Sequence, residues 1–164
     1  MVAEDSPTQA EALKVILESE GFSVAVSPDG RHALEQLRAA RFDVVLADAT
    51  MPHLDGFELC RAVRAEPATR GVAFALLTGK DDAEALLSAL RAGADEWFAK
   101  PLDVEALLDG VRALHERCAR RREVTRLALD LEARVRALEP LRAHDPEGFA
   151  GLEAAARELL RALG

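Results

Sequence analysis

Aromatic residues are scarce in this 164-residue chain, at 4%, so a core must be built from Leu, Val and Ala within an apolar content of 49%. Only two cysteines occur, Cys60 and Cys118, far apart and in no CxxC pair. That spacing excludes a disulfide framework and a zinc site and fits a reducing compartment. No apolar run approaches the ~18 residues that a membrane span needs. No charged stretch leads into an apolar segment at the N-terminus, so a signal peptide is not expected either, and the reading is a cytoplasmic protein. His32, His53, His115 and His144 show no ligand spacing to one another, so solvated or capping roles are expected for them.

The length suits one domain, or one domain with an appendage. Ala, Leu and Arg are abundant and argue for helix. Net charge is -8 and is uneven: residues 1–116 hold 11 Lys and Arg against 21 Asp and Glu, whereas residues 117–164 hold 10 against 8. An acidic body repels nucleic-acid phosphates and favours cations. The change of sign near Arg117 marks a candidate boundary, with one domain over 1–116 and a helical extension over 117–164.

Met1-Val2-Ala3 reads as a short strand running into Glu4-Asp5. Ser6 as N-cap and Pro7 at the first helical position open a helix that Gly21 stops. Phe22 to Val26 reads as a strand, and Asp29-Gly30 as a loop into a second helix through Ala33, Leu34 and Leu37. The run Val44-Val45-Leu46-Ala47 ending at Asp48 has the continuous apolar character of a buried parallel strand. A loop with Met51 packed in it leads to a third helix through Leu59, Cys60 and Val63, barred from extension by Pro67. Val72 to Leu77 is a fourth strand ending at Thr78-Gly79, and Asp81-Asp82 begin a fourth helix. Trp97-Phe98-Ala99 is a fifth strand ending at Lys100-Pro101, and Asp103 caps a fifth helix. Five rounds of strand and helix predict a doubly wound α/β fold, a parallel sheet with helices on both faces. Ligands of such sheets bind at the carboxyl ends of the strands.

Those ends carry Glu4, Asp5, Asp48, Thr78 and Lys100. Clustered carboxylates repel by about 4 kcal/mol per pair at 4 Å and an effective dielectric of 20. A cation among them relieves this, and an all-oxygen charged pocket suits Mg²⁺. A carboxylate beside Mg²⁺ and a lysine can attack a phosphoryl group, giving an aspartyl phosphate. Thr78 is placed to donate a hydrogen bond to that product, and Gly79 leaves room for its oxygens.

With Glu4-Asp5-Ser6-Pro7, the run Asp48 to Gly56 containing Met51-Pro52, Leu77-Thr78-Gly79 and Lys100-Pro101, the chain resembles the receiver domains of bacterial two-component response regulators. The separations are 43 residues from Asp5 to Asp48, 30 from Asp48 to Thr78 and 22 from Thr78 to Lys100. The resemblance covers residues 1 to about 116. It implies a flavodoxin-like sheet of order 2-1-3-4-5, with Asp48 as phosphoacceptor. It also implies that Glu4, Asp5, Asp48 and the backbone carbonyl of Thr50 hold Mg²⁺, and that Lys100 pairs with phosphoryl oxygens. Thr78 and Trp97 match the switch hydroxyl and switch aromatic, and the Lys100-Pro101 bond is expected to be cis. Thr50 and Lys80 fall near the pocket, where side chains tune phosphoryl lifetime. Two features depart from the family: only three residues precede the acid pair, and Trp97 is bulkier than the usual Tyr or Phe.

Past Leu114 the helical pattern continues without Gly or Pro, so one long helix is expected to about residue 139. A loop over 140–145 and a helix over 146–163 should follow. Two amphipathic helices cannot bury their stripes alone, and pairing with a second copy through them or through the last receiver helices is the favoured reading. The arginines from Arg117 to Arg126 could suggest DNA, but the chain is acidic and lacks a recognition-helix pair, so the reading is against DNA contact. The expectation is thus a response regulator modified at Asp48 by a histidine kinase or phosphotransfer protein, and not a turnover enzyme. Its rivals are an unphosphorylated dimerising scaffold and a Mg²⁺-dependent phosphohydrolase with an aspartate nucleophile. The latter is disfavoured by the lack of a DxD at the first strand and of an insertion long enough for a cap domain.

Overall fold

A computed structural model describes residues 1–79 and 83–163. The expected helix start at Asp81-Asp82 and the side chain of Lys80 lie outside the described residues. The chain separates into two compact units, Met1–Cys118 and Ala119–Gly164. The elements run β1 (Val2–Ala3), α1 (Pro7–Ser19), β2 (Val26–Ser27), α2 (Gly30–Ala39), β3 (Val44–Asp48), α3 (Gly56–Ala65), β4 (Ala73–Thr78), α4 (Ala83–Ala92), β5 (Glu96–Ala99), α5 (Val104–Ala137), a 3₁₀ turn (Glu139–Ala143) and α6 (Pro146–Leu163).

The strands form one five-stranded sheet of order β2-β1-β3-β4-β5, every neighbouring pair parallel. This is the doubly wound, flavodoxin-like arrangement expected from the alternation of strands and helices. Side chains alternate across the sheet as a strand requires. Val45, Ala47, Phe74 and Leu76 enter one core with Leu59, Val63 and Leu37, whereas Val2, Leu46, Ala75 and Leu77 enter the other with Leu13, Leu107 and Leu114. All six residues of β4 are buried, which is why it reads as an unbroken apolar run. Met51 is also buried, in the first of these cores.

The second strand differs from the expected Phe22–Val26 and is confined to Val26–Ser27. Among the described residues its partner strand is β1, which offers the pairs Val2 with Val26 and Ala3 with Ser27. Ladder hydrogen bonds cannot extend past the partner's length, whatever the propensity of Phe22 to Ala25.

Asp29 caps α2, accepting from the His32 amide at 2.9 Å, while its other oxygen lies 2.9 Å from His32 Nδ1. The amide bond and the neighbouring imidazole hold the Asp29 carboxyl below its ordinary 3.8, against the upward push of burial. A lowered folded-state pKa means stability that is present above the unfolded value and lost as pH falls through the folded one. Asp29→Ala should therefore cost about 1 kcal/mol at neutral pH. Urea midpoints should show the gap to wild type closing below the ordinary carboxylate range.

Arg64 ties the starts of β4 and β5 together. Its guanidinium donates to the carbonyls of Gly93 (2.8 Å), Arg70 (3.0 Å) and Val72 (2.8 Å) and to Asp95 Oδ2 (2.7 Å). The same Asp95 oxygen accepts from the Phe74 amide at 2.8 Å, so one ion pair sets the entry of both β4 and β5.

In the second unit, α5 ends at Ala137 and the expected loop over 140–145 is instead the 3₁₀ turn Glu139–Ala143. Pro140 cannot donate to an α-helical ladder but tolerates tighter turns. On α5, Val124, Ala128, Leu131 and Val135 are half-buried, whereas Leu127 and Leu129, and Leu138 just past its end, are exposed. On α6, Phe149 and Ala156 are buried, and Leu152 and Leu159 are exposed. The Leu163 side chain lies outside the described residues. Charged residues on the outer face pair locally, Arg126 with Glu123 and Arg134 with Asp130. Among the described residues no helix is long and apolar enough to cross a membrane.

Candidate functional site

Four of the five strands deliver the expected polar residues to one rim. β1 is short but held on both sides: the Glu4 amide donates to Ser27 O (3.0 Å) and the Leu46 amide to Met1 O (3.0 Å). This pins Glu4, which is only 2% exposed, at the end of the strand, with exposed Asp5 beside it. β3 ends on Asp48, buried at the rim. One carboxylate oxygen from each of Glu4, Asp5 and Asp48 lies within 4.8 Å of the others.

Lys100, after β5, reaches into this group. Its backbone amide donates to Thr78 O at 2.7 Å, which fixes the strand exit, and the Lys100-Pro101 peptide is cis. Its ammonium donates to Asp48 Oδ2 (2.6 Å), Glu4 Oε2 (3.0 Å) and Gln9 Oε1 (3.0 Å). Burial alone would pull the Lys100 pKa down, but the hydrogen bonds it donates to Asp48 and Glu4 outweigh it and the net shift is upward. Burial pushes the Glu4 carboxyl up, and the bonds from Lys100 and Ser6 only partly offset that. Both groups are thus biased toward keeping protons, a bias that a bound cation would relieve.

The loop after β3 is anchored through Asp48 itself. The Thr50 amide donates to Asp48 Oδ1 at 3.0 Å, the Ala49 amide to Leu77 O at 2.7 Å and the Gly56 amide to Ala49 O at 3.2 Å. Asp48 therefore presents Oδ1 to the loop and Oδ2 to Lys100. The loop ends in a full capping box, with Asp55 accepting from the Glu58 amide (2.7 Å) and Glu58 from the Asp55 amide (3.1 Å). Thr78 is buried at the end of β4, and among the described residues nothing lies within 4 Å of where a Cβ on Gly79 would stand. Trp97 sits on β5 opposite Leu76 in register, its residue 39% exposed.

Three carboxylates around one ammonium leave an excess of negative charge among oxygen donors only. That donor set fits a small hard divalent ion that keeps part of its water shell, with Glu4, Asp5 and Asp48 as the protein carboxylates available to it.

One member of the site has no counterpart in the sequence reading. Gln9 lies in the first turn of α1, exposed and uncharged, where it looks like an ordinary helix residue. The available signal was its place four residues after Asp5, one turn into the helix that the acid pair opens. The Ser6 cap also differs from expectation. Ser6 occupies the N-cap position but its side chain makes no capping bond, and its amide is bonded by Glu4 Oε1 at 3.2 Å.

Comparisons with known proteins agree with this geometry. The sequence model of the response regulator receiver domain matches residues 1–112. The DNA-binding response regulator MtrA of Mycolicibacterium smegmatis is 39% identical over 113 residues, covering 69% of this chain and 48% of that protein. The transcriptional regulatory protein CseB of Streptomyces coelicolor is 38% identical over 117 residues, 71% of this chain and 49% of that protein. The chain thus spans about half the length of the curated relatives it matches. These names run against the expectation that DNA contact is absent. Among solved structures, the signal receiver domain of a histidine kinase from Syntrophus aciditrophicus superposes with a TM-score of 0.67 at 37% identity, covering 70% of this chain and 87% of that one. The receiver domain of a sensor histidine kinase from Pseudomonas aeruginosa PAO1, which holds a magnesium ion in its active site cleft, superposes with a TM-score of 0.66 at 28% identity, covering 70% and 94%. Motifs, sheet order, rim geometry and these matches lead to one assignment: the chain belongs to the response regulator receiver domain family.

Proposed function

We propose that this chain accepts a phosphoryl group on Asp48 from the phosphohistidine of a kinase or phosphotransfer partner, and that the modification alters protein–protein contact or self-association. The observation that carries the reading is the Lys100 ammonium bridging Asp48 Oδ2 and Glu4 Oε2 where β1, β3 and β5 end. In the transfer, one Asp48 carboxylate oxygen bonds to phosphorus as the phosphorus–nitrogen bond breaks, and the imidazole leaves with that electron pair. Lys100 lies where it can follow the transferring oxygens, since it already donates to the accepting carboxylate. The Thr50 amide holds the other carboxylate oxygen, which fixes the direction of attack. Glu4, Asp5 and Asp48, with the Thr50 carbonyl, would hold Mg²⁺, which when bound offsets the negative charge on the phosphoryl oxygens. The chain gains and slowly loses its own phosphoryl group and does not turn over a substrate.

Thr78 and Trp97 are the residues proposed to report the modification, by moving toward the pocket and reshaping the face around β5. That face carries exposed apolar side chains, Leu87 and Leu90 on α4 and Val104 at the start of α5. Exposed Leu127, Leu129, Leu152 and Leu159 give the second unit a surface suited to a second copy of the chain. The DNA-binding names of the relatives favour a second reading. It is weaker here because the matched residues are the acidic part of the chain, and Arg126 and Arg134 are engaged with acidic neighbours. The proposed setting is the cytoplasm.

Beryllofluoride with Mg²⁺, a phosphoryl mimic, should change the fluorescence of Trp97, the only tryptophan, and raise the solution mass toward a dimer. Unchanged fluorescence and mass would remove the switch.

A further inference from the structure

An ammonium has three N–H bonds, and Lys100 points each at a different oxygen. Two acceptors, Asp48 and Glu4, are the charged groups of the site. The third is the neutral amide of Gln9 at 3.0 Å. Local sequence would send Gln9 elsewhere. Ser6-Pro7-Thr8-Gln9 has the spacing of a capping box, in which the side chain three residues past the cap reaches back to the cap's amide. Here Glu4 Oε1 already takes the Ser6 amide at 3.2 Å, and Gln9 is diverted to Lys100. A neutral acceptor orients the ammonium without adding charge to an acidic cluster. It also yields readily when charged phosphoryl oxygens, which are stronger acceptors, arrive.

We infer that Gln9 is a positioning residue: its side-chain oxygen completes the coordination of the Lys100 ammonium and holds it over Asp48, ready for phosphoryl transfer. The inference rests on Asp48 being the phosphoacceptor. The test compares the full-length chain with Gln9→Met, which keeps the length and removes the acceptor, and Gln9→Glu, which keeps an oxygen at the same reach. The phosphodonor is acetyl phosphate with Mg²⁺. Asp48 oxygen bonds to phosphorus, the bond from phosphorus to the acetyl oxygen breaks, and acetate leaves. Loss of one partly solvated hydrogen bond to a charged group should slow the initial labelling rate of Gln9→Met about three- to tenfold. Gln9→Glu should stay closer to wild type than Gln9→Met does, and all three proteins should share one thermal midpoint because Gln9 is exposed. If wild type labels and Gln9→Met labels equally fast, or if both variants slow alike, the positioning role is overturned while the phosphoacceptor reading stands. If wild type does not label, that reading fails, and this inference with it.

Discussion

Asp48→Asn should take up no phosphoryl group from acetyl phosphate and Mg²⁺, while wild type gains one, as read by intact mass. The substitution is close to isosteric, so the loss can be ascribed to chemistry. Asn retains an oxygen where Oδ1 accepts the Thr50 amide at 3.0 Å, and the β3–α3 loop keeps its anchor. At the other position an amide NH₂ replaces the oxygen that lies 2.6 Å from Lys100 Nζ. Donor then faces donor, and Lys100 must withdraw toward Glu4 and Gln9. The amide offers no anionic oxygen to attack phosphorus. Folding should change little, because the lost ion pair is offset by reduced repulsion among Glu4, Asp5 and position 48. A variant that still labels at the wild-type rate would move the acceptor elsewhere, and the assignment of roles around Lys100 would fall with it.

Much of this site was legible because its parts sit where strands end, and strand ends can be read locally. Val44 to Asp48 and Ala73 to Thr78 are continuous apolar runs closed by a polar residue, the pattern that a strand buried on both faces must have. Thr78 and Lys100 could be placed on the same rim for that reason. The illegible features depend on partners far away in the chain. β2 is short because β1 is short, a property of the pairing and not of Phe22 to Val26. Arg64 resembles any surface arginine on a helix, yet it donates to three carbonyls and to Asp95 across 31 positions of sequence. Gln9 shows the same limit at the site itself. Its role follows from Glu4 having taken the Ser6 amide and from Lys100, 91 residues away, needing a third acceptor. Periodicity located the apolar stripe on α6 but could not say which of its members close on the unit and which stay open, as Leu152 and Leu159 do.

A sharp structural sensitivity lies directly behind Asp48. A Cβ on Gly56 would fall 2.2 Å from the Asp48 carbonyl oxygen and 2.9 Å from Leu76 Cδ2. The first of these is backbone in the central sheet and cannot swing aside, so either α3 backs away from β3 or the end of β3 shifts. Overpacking of this kind costs about 3 kcal/mol. For a domain of this size that should lower the thermal midpoint by roughly 10 °C. The Gly71 position has nothing within 4 Å of such a Cβ, and its φ lies outside the left-handed region. Gly71→Ala should therefore leave the midpoint within about a degree or two, as for surface changes generally. The Gly56 effect should also reach the chemistry, because the carbonyl that must move belongs to Asp48, whose side chain is positioned by contacts of 3.0 Å to Thr50 and 2.6 Å to Lys100. In the fraction of Gly56→Ala that remains folded well below its midpoint, labelling by acetyl phosphate should be slower than in wild type, and in Gly71→Ala it should be unchanged. Equal midpoints for the two variants would mean that α3 and β3 are not in the close contact on which the placement of Asp48 depends.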